Sequence, residues 1–277
     1  MTTATPGANQ SPAGFFPHEH GATAMLLMPF CAAAILARAL RWQEAAALAA
    51  IVCVFMARDP LVVLARQRWV WKQHHPEAAL AVRWIAAELS VMLACGVSLL
   101  ATGPWQLYLL LFGAAAAFSG LAILVNVRNR QRGTAFQVAS AVVLTSTSLV
   151  AALSATGSIP PWCWRLWGLT AAQSAAGIFT VHARLDARVA ARTGNLASNS
   201  RRPAIFCIVL LGAAGIALAA AGSYWLGAAL LVAASGYGAE LARQKSTASL
   251  QMPLTRVGLQ MLALSLVYGA IVVRGLW

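Results

Sequence analysis

The sequence predicts an all-α fold, a polytopic membrane bundle of about nine transmembrane helices, and three observations support this prediction. Hydrophobic residues make up 60% of the chain and charged residues 10%, whereas soluble domains carry about 25% charged residues. Nine apolar runs follow one another, each near the roughly 20 residues that a helix needs to cross about 30 Å of hydrocarbon. Positive charges are concentrated in alternate links between these runs.

The apolar runs fill most of the chain and define its domain organisation. A polar tail precedes them over residues 1–14, and its content of Ala, Pro, Ser and Thr predicts a disordered segment. Residues 15–277 are predicted to form a single transmembrane helical domain. In chain order the runs span approximately 22–40, 44–65, 82–101, 106–126, 134–155, 163–182, 204–222, 224–242 and 256–276.

Basic residues lie mainly in the links that follow the even-numbered runs. The links 101–106, 155–161 and 222–223, which follow odd-numbered runs, contain no lysine or arginine. The positive-inside rule then predicts a cytoplasmic N-terminus and an external C-terminus in the cell (inner) membrane. The net charge of +13 would suggest nucleic acid in a soluble protein, but basic residues divided among helix ends form no single patch. We therefore expect a lipid bilayer as the partner and no nucleic acid.

Polar clusters lie where several runs begin or end, and the first is His18-Glu19-His20, just before run one. Two histidines and a carboxylate are costly beside lipid, which favours a site for an anion, a proton or a metal. The alternative is a cap at the membrane interface, with Glu19 near the positive end of the helix dipole.

Arg58 and Asp59 lie inside run two, next to a proline. Ionisable residues within a membrane span are functional candidates by default. The alternative is that both side chains extend from a short span to the inner surface. Glu88 in run three is a further isolated acid, for which the structural alternative is a hydrogen bond with an arginine such as Arg83.

The link after run four contains Asn126, Arg128 and Arg130. Arginines at every second position suit an extended segment, in which they could bind a phosphate or a carboxylate. An ordinary basic loop explains the same residues equally well. Arg256, which opens run nine, is a further candidate for binding an anion.

His182, Arg184, Asp186 and Arg188 lie at the end of run six. If the helix continues through them, His182 and Asp186 share one face, while Arg184 and Arg188 share another. The first face then offers a carboxylate–imidazole pair and the second an anion clamp. The alternative is an amphipathic cytoplasmic extension whose charges are solvated.

The segment Pro17–Phe30, PHEHGATAMLLMPF, resembles the opening of the YwiC-like membrane proteins, where a P-x-E-H-G-A-W-x-M-L-x-x-P run is typical. The segments 184–195 and 256–259 are similar to the basic segment and the final R-x-G-I segment of that family. Thr23 replaces the usual Trp, and Gln260 stands where the family often has Glu. The resemblance implies an integral membrane protein of unassigned activity.

The layout is also similar, more remotely, to that of the UbiA prenyltransferase superfamily. That fold has nine spans, a cytoplasmic active site, Asp-rich motifs at the ends of spans two and six, and a basic tract after span four. The corresponding places here hold Arg58-Asp59, 182–188 and 128–132. The superfamily uses several aspartates to hold Mg²⁺ against a diphosphate. One Asp in each place, surrounded by Arg, argues against that use of Mg²⁺ and favours direct arginine contact with an anion; the five cysteines show no metal-binding spacing.

These observations lead to three functional hypotheses. The primary one is a UbiA-like protein that binds an anionic amphiphile, an isoprenyl diphosphate or a lipid. The binding site would be a polar pocket open to the cytoplasm. If the protein is an enzyme, the reaction would be prenyl or related group transfer. The alternatives are a small-anion transporter and a non-catalytic membrane partner of a larger complex. The oligomeric state is left open. The candidate catalytic residues are Asp59, Asp186 and His182, and the candidate binding residues are His18, Glu19, His20, Arg58, Asn126, Arg128, Arg130, Arg184, Arg188 and Arg256.

Overall fold

The computed structural model describes residues 20–39, 41–71, 77–128, 133–194 and 200–277. Helices joined by short turns make up these residues, and no strand occurs among them. A π-helical turn, Gln67–Trp71, continues the second helix. The helices are α1 (His20–Ala37), α2 (Trp42–Arg66), α3 (Glu77–Thr102), α4 (Trp105–Val127), α5 (Thr134–Thr145), α6 (Thr147–Thr156), α7 (Pro161–Thr193), α8 (Arg201–Ala220), α9 (Tyr224–Arg243), α10 (Thr247–Leu250) and α11 (Leu254–Leu276).

The predicted polytopic helical bundle is confirmed, because each apolar run coincides with a helix or a pair of helices. The first run gives a shorter apolar helix, Gly21–Ala37. The sixth run gives α7, which is 33 residues long. Among the described residues, seven segments are long and apolar enough to cross a membrane: Trp42–Val70, Ala78–Thr102, Trp105–Val127, Thr134–Thr156, Arg201–Ala220, Tyr224–Arg243 and Leu254–Leu276.

The fifth run differs from the expectation of one continuous helix, because it is divided into α5 and α6 at Ser146. The Thr145 hydroxyl donates to the carbonyl oxygen of Ala141 at 2.9 Å, and the Ser146 hydroxyl donates to that of Val143 at 2.7 Å. Such bonds from a hydroxyl to the preceding turn compete with the main-chain ladder and often bend a helix. The break coincides with four consecutive hydroxyl residues, Thr145 to Ser148, at the centre of the run.

Glycines allow α8 and α9 to pack against each other closely. A Cβ atom added to Gly227 would lie 2.7 Å from the carbonyl oxygen of Gly215 and 2.8 Å from the Cβ of Ala219. Small residues let two helix backbones approach in lipid, where little hydrophobic force drives helices together. The α8–α9 hairpin therefore depends on glycine at this contact.

The buried core lies in the second half of the bundle and around α1, and α4 lies at its margin. Core side chains include Phe30, Leu230, Tyr237 and Val272. By contrast, α4 packs mainly on α2 and α3, and its Leu110 is 68% exposed. Phe118 of α4 stacks on Phe136 of α5 with ring centroids 6.0 Å apart, and space is left between α4 and α7.

Candidate functional site

A large cavity occupies the space beside α4. Its volume is about 2320 Å³, more than twice the roughly 1,000 Å³ at the upper end for small-molecule pockets. Trp164 and His182, which both line it, lie about 27 Å apart along α7 at a rise of about 1.5 Å per residue. The cavity therefore extends through most of a hydrocarbon core that is about 30 Å thick.

Apolar side chains from both halves of the bundle form most of the cavity wall. Met92 and Leu100 contribute from α3, Leu111 from α4, and Trp164 and Trp167 from α7. Toward the Trp164 end, these side chains offer no charge to a ligand. That part of the cavity is suited to a hydrocarbon chain.

Five polar side chains also line the cavity, and we name them together the polar end: Arg58, Glu88, Asn126, Gln137 and His182. They come from α2, α3, α4, α5 and α7. Asn126 lies at the end of α4 and Gln137 near the start of α5, whereas Glu88 lies near the middle of α3. Among the described lining residues, Arg58 and Glu88 are the charged ones. Three of the predicted site residues, Arg58, Asn126 and His182, are thus brought to one cavity from distant places in the chain.

A hydrogen bond joins α2 to α4 at the polar end. The guanidinium of Arg66 donates to the side-chain oxygen of Asn126 at 3.0 Å and to its carbonyl oxygen at 3.3 Å. About two turns before Arg66 on α2, the Nε of Arg58 lies 3.2 Å from a carboxylate oxygen of Asp59. Asp59 itself is not among the residues that line the cavity.

His182 joins α7 to α5. Its Nε2 lies 2.8 Å from the side-chain oxygen of Gln137. Asp186, one turn later on α7, accepts a hydrogen bond from the main-chain N–H of Ser200 at 3.2 Å. The imidazole and the carboxylate that were considered as a pair therefore bind different partners, and of the two only His182 lines the cavity.

Arg184 and Arg188 lie on a common face of α7, as the helical spacing predicts. That face packs against α9 and the segment 249–252 of the same protein. Arg184 is 1% exposed and donates to the carboxylate of Glu240 and to the carbonyl oxygen of Ser249. Arg188 donates to main-chain carbonyl oxygens of residues 250 and 252. Both arginines thereby fix the segment that leads into α11.

The other predicted site residues lie away from the cavity or are not described. Arg128 and Arg256 are exposed, and neither lines the cavity. The remaining predicted residues lie outside the described part of the chain: His18, Glu19, Arg130 and the side chain of His20.

A buried polar cluster that the sequence reasoning missed lies deeper in the cavity wall. The side-chain nitrogen of Gln173 on α7 donates to the Tyr237 hydroxyl at 2.6 Å and to the Ser265 hydroxyl at 2.8 Å. Gly177 makes room for the tyrosine, because a Cβ atom there would lie 3.0 Å from its hydroxyl oxygen. The available signal was a glutamine in the middle of an apolar run.

Glu88 also contributes to the wall, although no role was assigned to it from the sequence. It is 8% exposed, and neither carboxylate oxygen has a hydrogen-bond partner among the described residues. The expected alternative, a hydrogen bond with Arg83, is therefore not formed. The described residues also contain no group of three or more His, Cys, Asp or Glu side chains placed to hold a metal ion.

Residues 16–153, about half of the chain, match the family model described as YwiC-like protein. No curated protein and no solved structure matches the chain.

Proposed function

Because the chain belongs through residues 16–153 to the YwiC-like protein family, for which the matching model names no activity, we propose a function from the cavity itself. The protein binds an amphiphile. An anionic headgroup, a phosphate or diphosphate, lies at the polar end near Arg58, Asn126 and His182. The hydrocarbon chain, isoprenoid or acyl, extends along the apolar wall toward Trp164.

One observation carries this proposal: a single cavity combines a mostly apolar wall with the charged, amide and imidazole side chains of the polar end. A ligand that fills it must be long, largely apolar and polar at one end. Arginine and amide donors suit a phosphate or carboxylate. The distribution of basic links further suggests that the polar end faces the cytoplasm.

The cavity wall favours an amphiphile over a small hydrated anion. Pores for such an anion use rings of arginine or lysine side chains, whereas Arg58 is the one arginine, and no lysine occurs, among the described lining residues. The described charged lining residues, Arg58 and Glu88, both belong to the polar end. A partner protein is also less well supported, because Arg58, Asn126 and His182 face the interior of the cavity rather than the outside of the bundle.

We propose binding and assign no reaction. Transfer of a prenyl group assisted by Mg²⁺ needs several carboxylates around one diphosphate. Asp59 and Asp186 do not line the cavity, and the Asp186 carboxylate is engaged by the main chain at Ser200. The chain's own residues at the polar end can bind and orient an anion.

The test compares two ligands of the same chain length. Octadecyl phosphate and octadecanol are titrated into the purified protein in non-ionic detergent, and bound complexes are counted by native mass spectrometry. We expect octadecyl phosphate to bind at least tenfold more tightly than octadecanol. The preference falls in Arg58→Gln and is retained in Arg83→Gln, a matched exposed arginine on α3 that does not line the cavity. Equal binding of the two ligands would overturn the proposal.

A further inference from the structure

Glu88 is a buried acid that the bundle leaves without a hydrogen-bond partner. Its side chain lies on α3, is 8% exposed and lines the cavity. Both of its carboxylate oxygens are buried without a hydrogen bond among the described residues. Buried polar groups in native proteins are nearly always hydrogen-bonded, and an acid beside hydrocarbon is costly, so this group calls for a partner that enters from the cavity.

Glu44 offers a comparison within the same chain. It is 5% exposed, and one of its carboxylate oxygens also lacks a hydrogen bond. It lies in the first turn of α2, within electrostatic range of Arg41, and does not line the cavity. Both glutamates are therefore buried, but of the two only Glu88 lines the cavity.

The charges at the polar end have opposite signs. Arg58 and Glu88 are the charged lining residues of the described chain, on two helices that pack side by side as a hairpin. Glu88 lies within electrostatic range of Asp59, the ion-pair partner of Arg58. Beside a ligand with an anion alone, an ionised Glu88 would stay unpaired and would repel the ligand, whereas a cationic group in the ligand stabilises the ionised carboxylate.

We propose that Glu88 binds a cationic ammonium group of the amphiphile, so that the headgroup is zwitterionic, with its anion toward Arg58 and its ammonium on the Glu88 carboxylate. This inference rests on the proposed function, since it names the class of headgroup that the same cavity accepts. Charge complementarity on both sides of the headgroup then excludes purely anionic lipids as the best ligands.

The test extends the ligand series by two members with the same alkyl chain, octadecyl phosphoethanolamine and octadecylamine. Native mass spectrometry gives the apparent affinity of each ligand for the wild type, Glu88→Gln and Glu44→Gln. The glutamine keeps the shape of the side chain and removes its charge. In the wild type and in Glu44→Gln, we expect the phosphoethanolamine to bind at least tenfold more tightly than octadecyl phosphate. In Glu88→Gln, we expect the two ligands to bind with equal affinity.

Two outcomes would overturn the inference: no preference for phosphoethanolamine over phosphate in the wild type, or a preference that persists in Glu88→Gln. Failure of the proposed function gives a different pattern. If octadecyl phosphate binds no better than octadecanol, the anion site near Arg58 is wrong. Tighter binding of octadecylamine than of octadecanol, lost in Glu88→Gln, would then still support Glu88 as a cation site.

Discussion

Arg184 on α7 and Glu240 on α9 form an ion pair whose side chains are 1% and 3% exposed. The second guanidinium nitrogen of Arg184 binds the carbonyl oxygen of Ser249, so three elements meet at this one side chain. An arginine that the helical spacing offers as an anion-binding group is here engaged by the protein itself.

Removing Arg184 should therefore affect stability. In Arg184→Ala, the exposed Arg243, 3.8 Å from the other carboxylate oxygen, would be the remaining cation beside the buried Glu240. We therefore take the lower end of the cost of breaking a buried pair, about 3 kcal/mol. We expect the unfolding free energy in detergent to fall by about that amount, measured by chemical denaturation. Arg256→Ala, at an exposed arginine, is the control and should change stability by less than about 0.5 kcal/mol. Equal effects in the two variants would show that the pair contributes nothing.

Gly227 should tolerate no side chain, because its position meets the backbone of α8. Gly227→Ala would place a methyl group against the carbonyl oxygen of Gly215 at 2.7 Å, and overpacking of this kind costs about 1–3 kcal/mol. The loss would appear as a lower midpoint in thermal unfolding. Gly113→Ala on α4 provides the matched control, since a Cβ atom there meets nothing within 4 Å. A neutral Gly227→Ala would contradict the close α8–α9 contact.

The proposed orientation predicts which loops can be labelled from outside the cell. Ser158, exposed between α6 and α7, should be external, and Ser246, exposed after α9, should be cytoplasmic. In a variant without the five native cysteines, Ser158→Cys should react with a membrane-impermeant maleimide on intact cells. Ser246→Cys should react only after the cells are lysed. The reverse pattern would invert the orientation.

The helices could be predicted because span length and apolar composition are local properties of the chain. The family could be predicted as well, because the segment Pro17–Phe30 carries its signature, and the match over residues 16–153 confirms it. The gathering of Arg58, Asn126 and His182 at one cavity was predictable in outline. Ionisable groups near the same membrane surface all avoid lipid.

The partners of these groups could not be predicted, because they depend on tertiary packing. Glu240 follows Arg184 by 56 positions in the sequence, and no local pattern joins the two residues. His182 likewise binds Gln137 on α5, 45 positions away, rather than Asp186, which is nearer in the sequence. The Gln173–Tyr237–Ser265 cluster was missed, since the partners of Gln173 lie on α9 and α11.

The most direct test of the shared cavity is photochemical. An alkyl phosphate with a diazirine in the middle of its chain is irradiated with the protein in nanodiscs, and the labelled peptides are identified by mass spectrometry. The account predicts labelling of cavity-lining residues of α7 and α11 such as Ile178 and Met261, reduced by excess octadecyl phosphate. Labelling confined to lipid-facing residues of α8, such as Phe206 and Ile216, and unaffected by that competitor would contradict it.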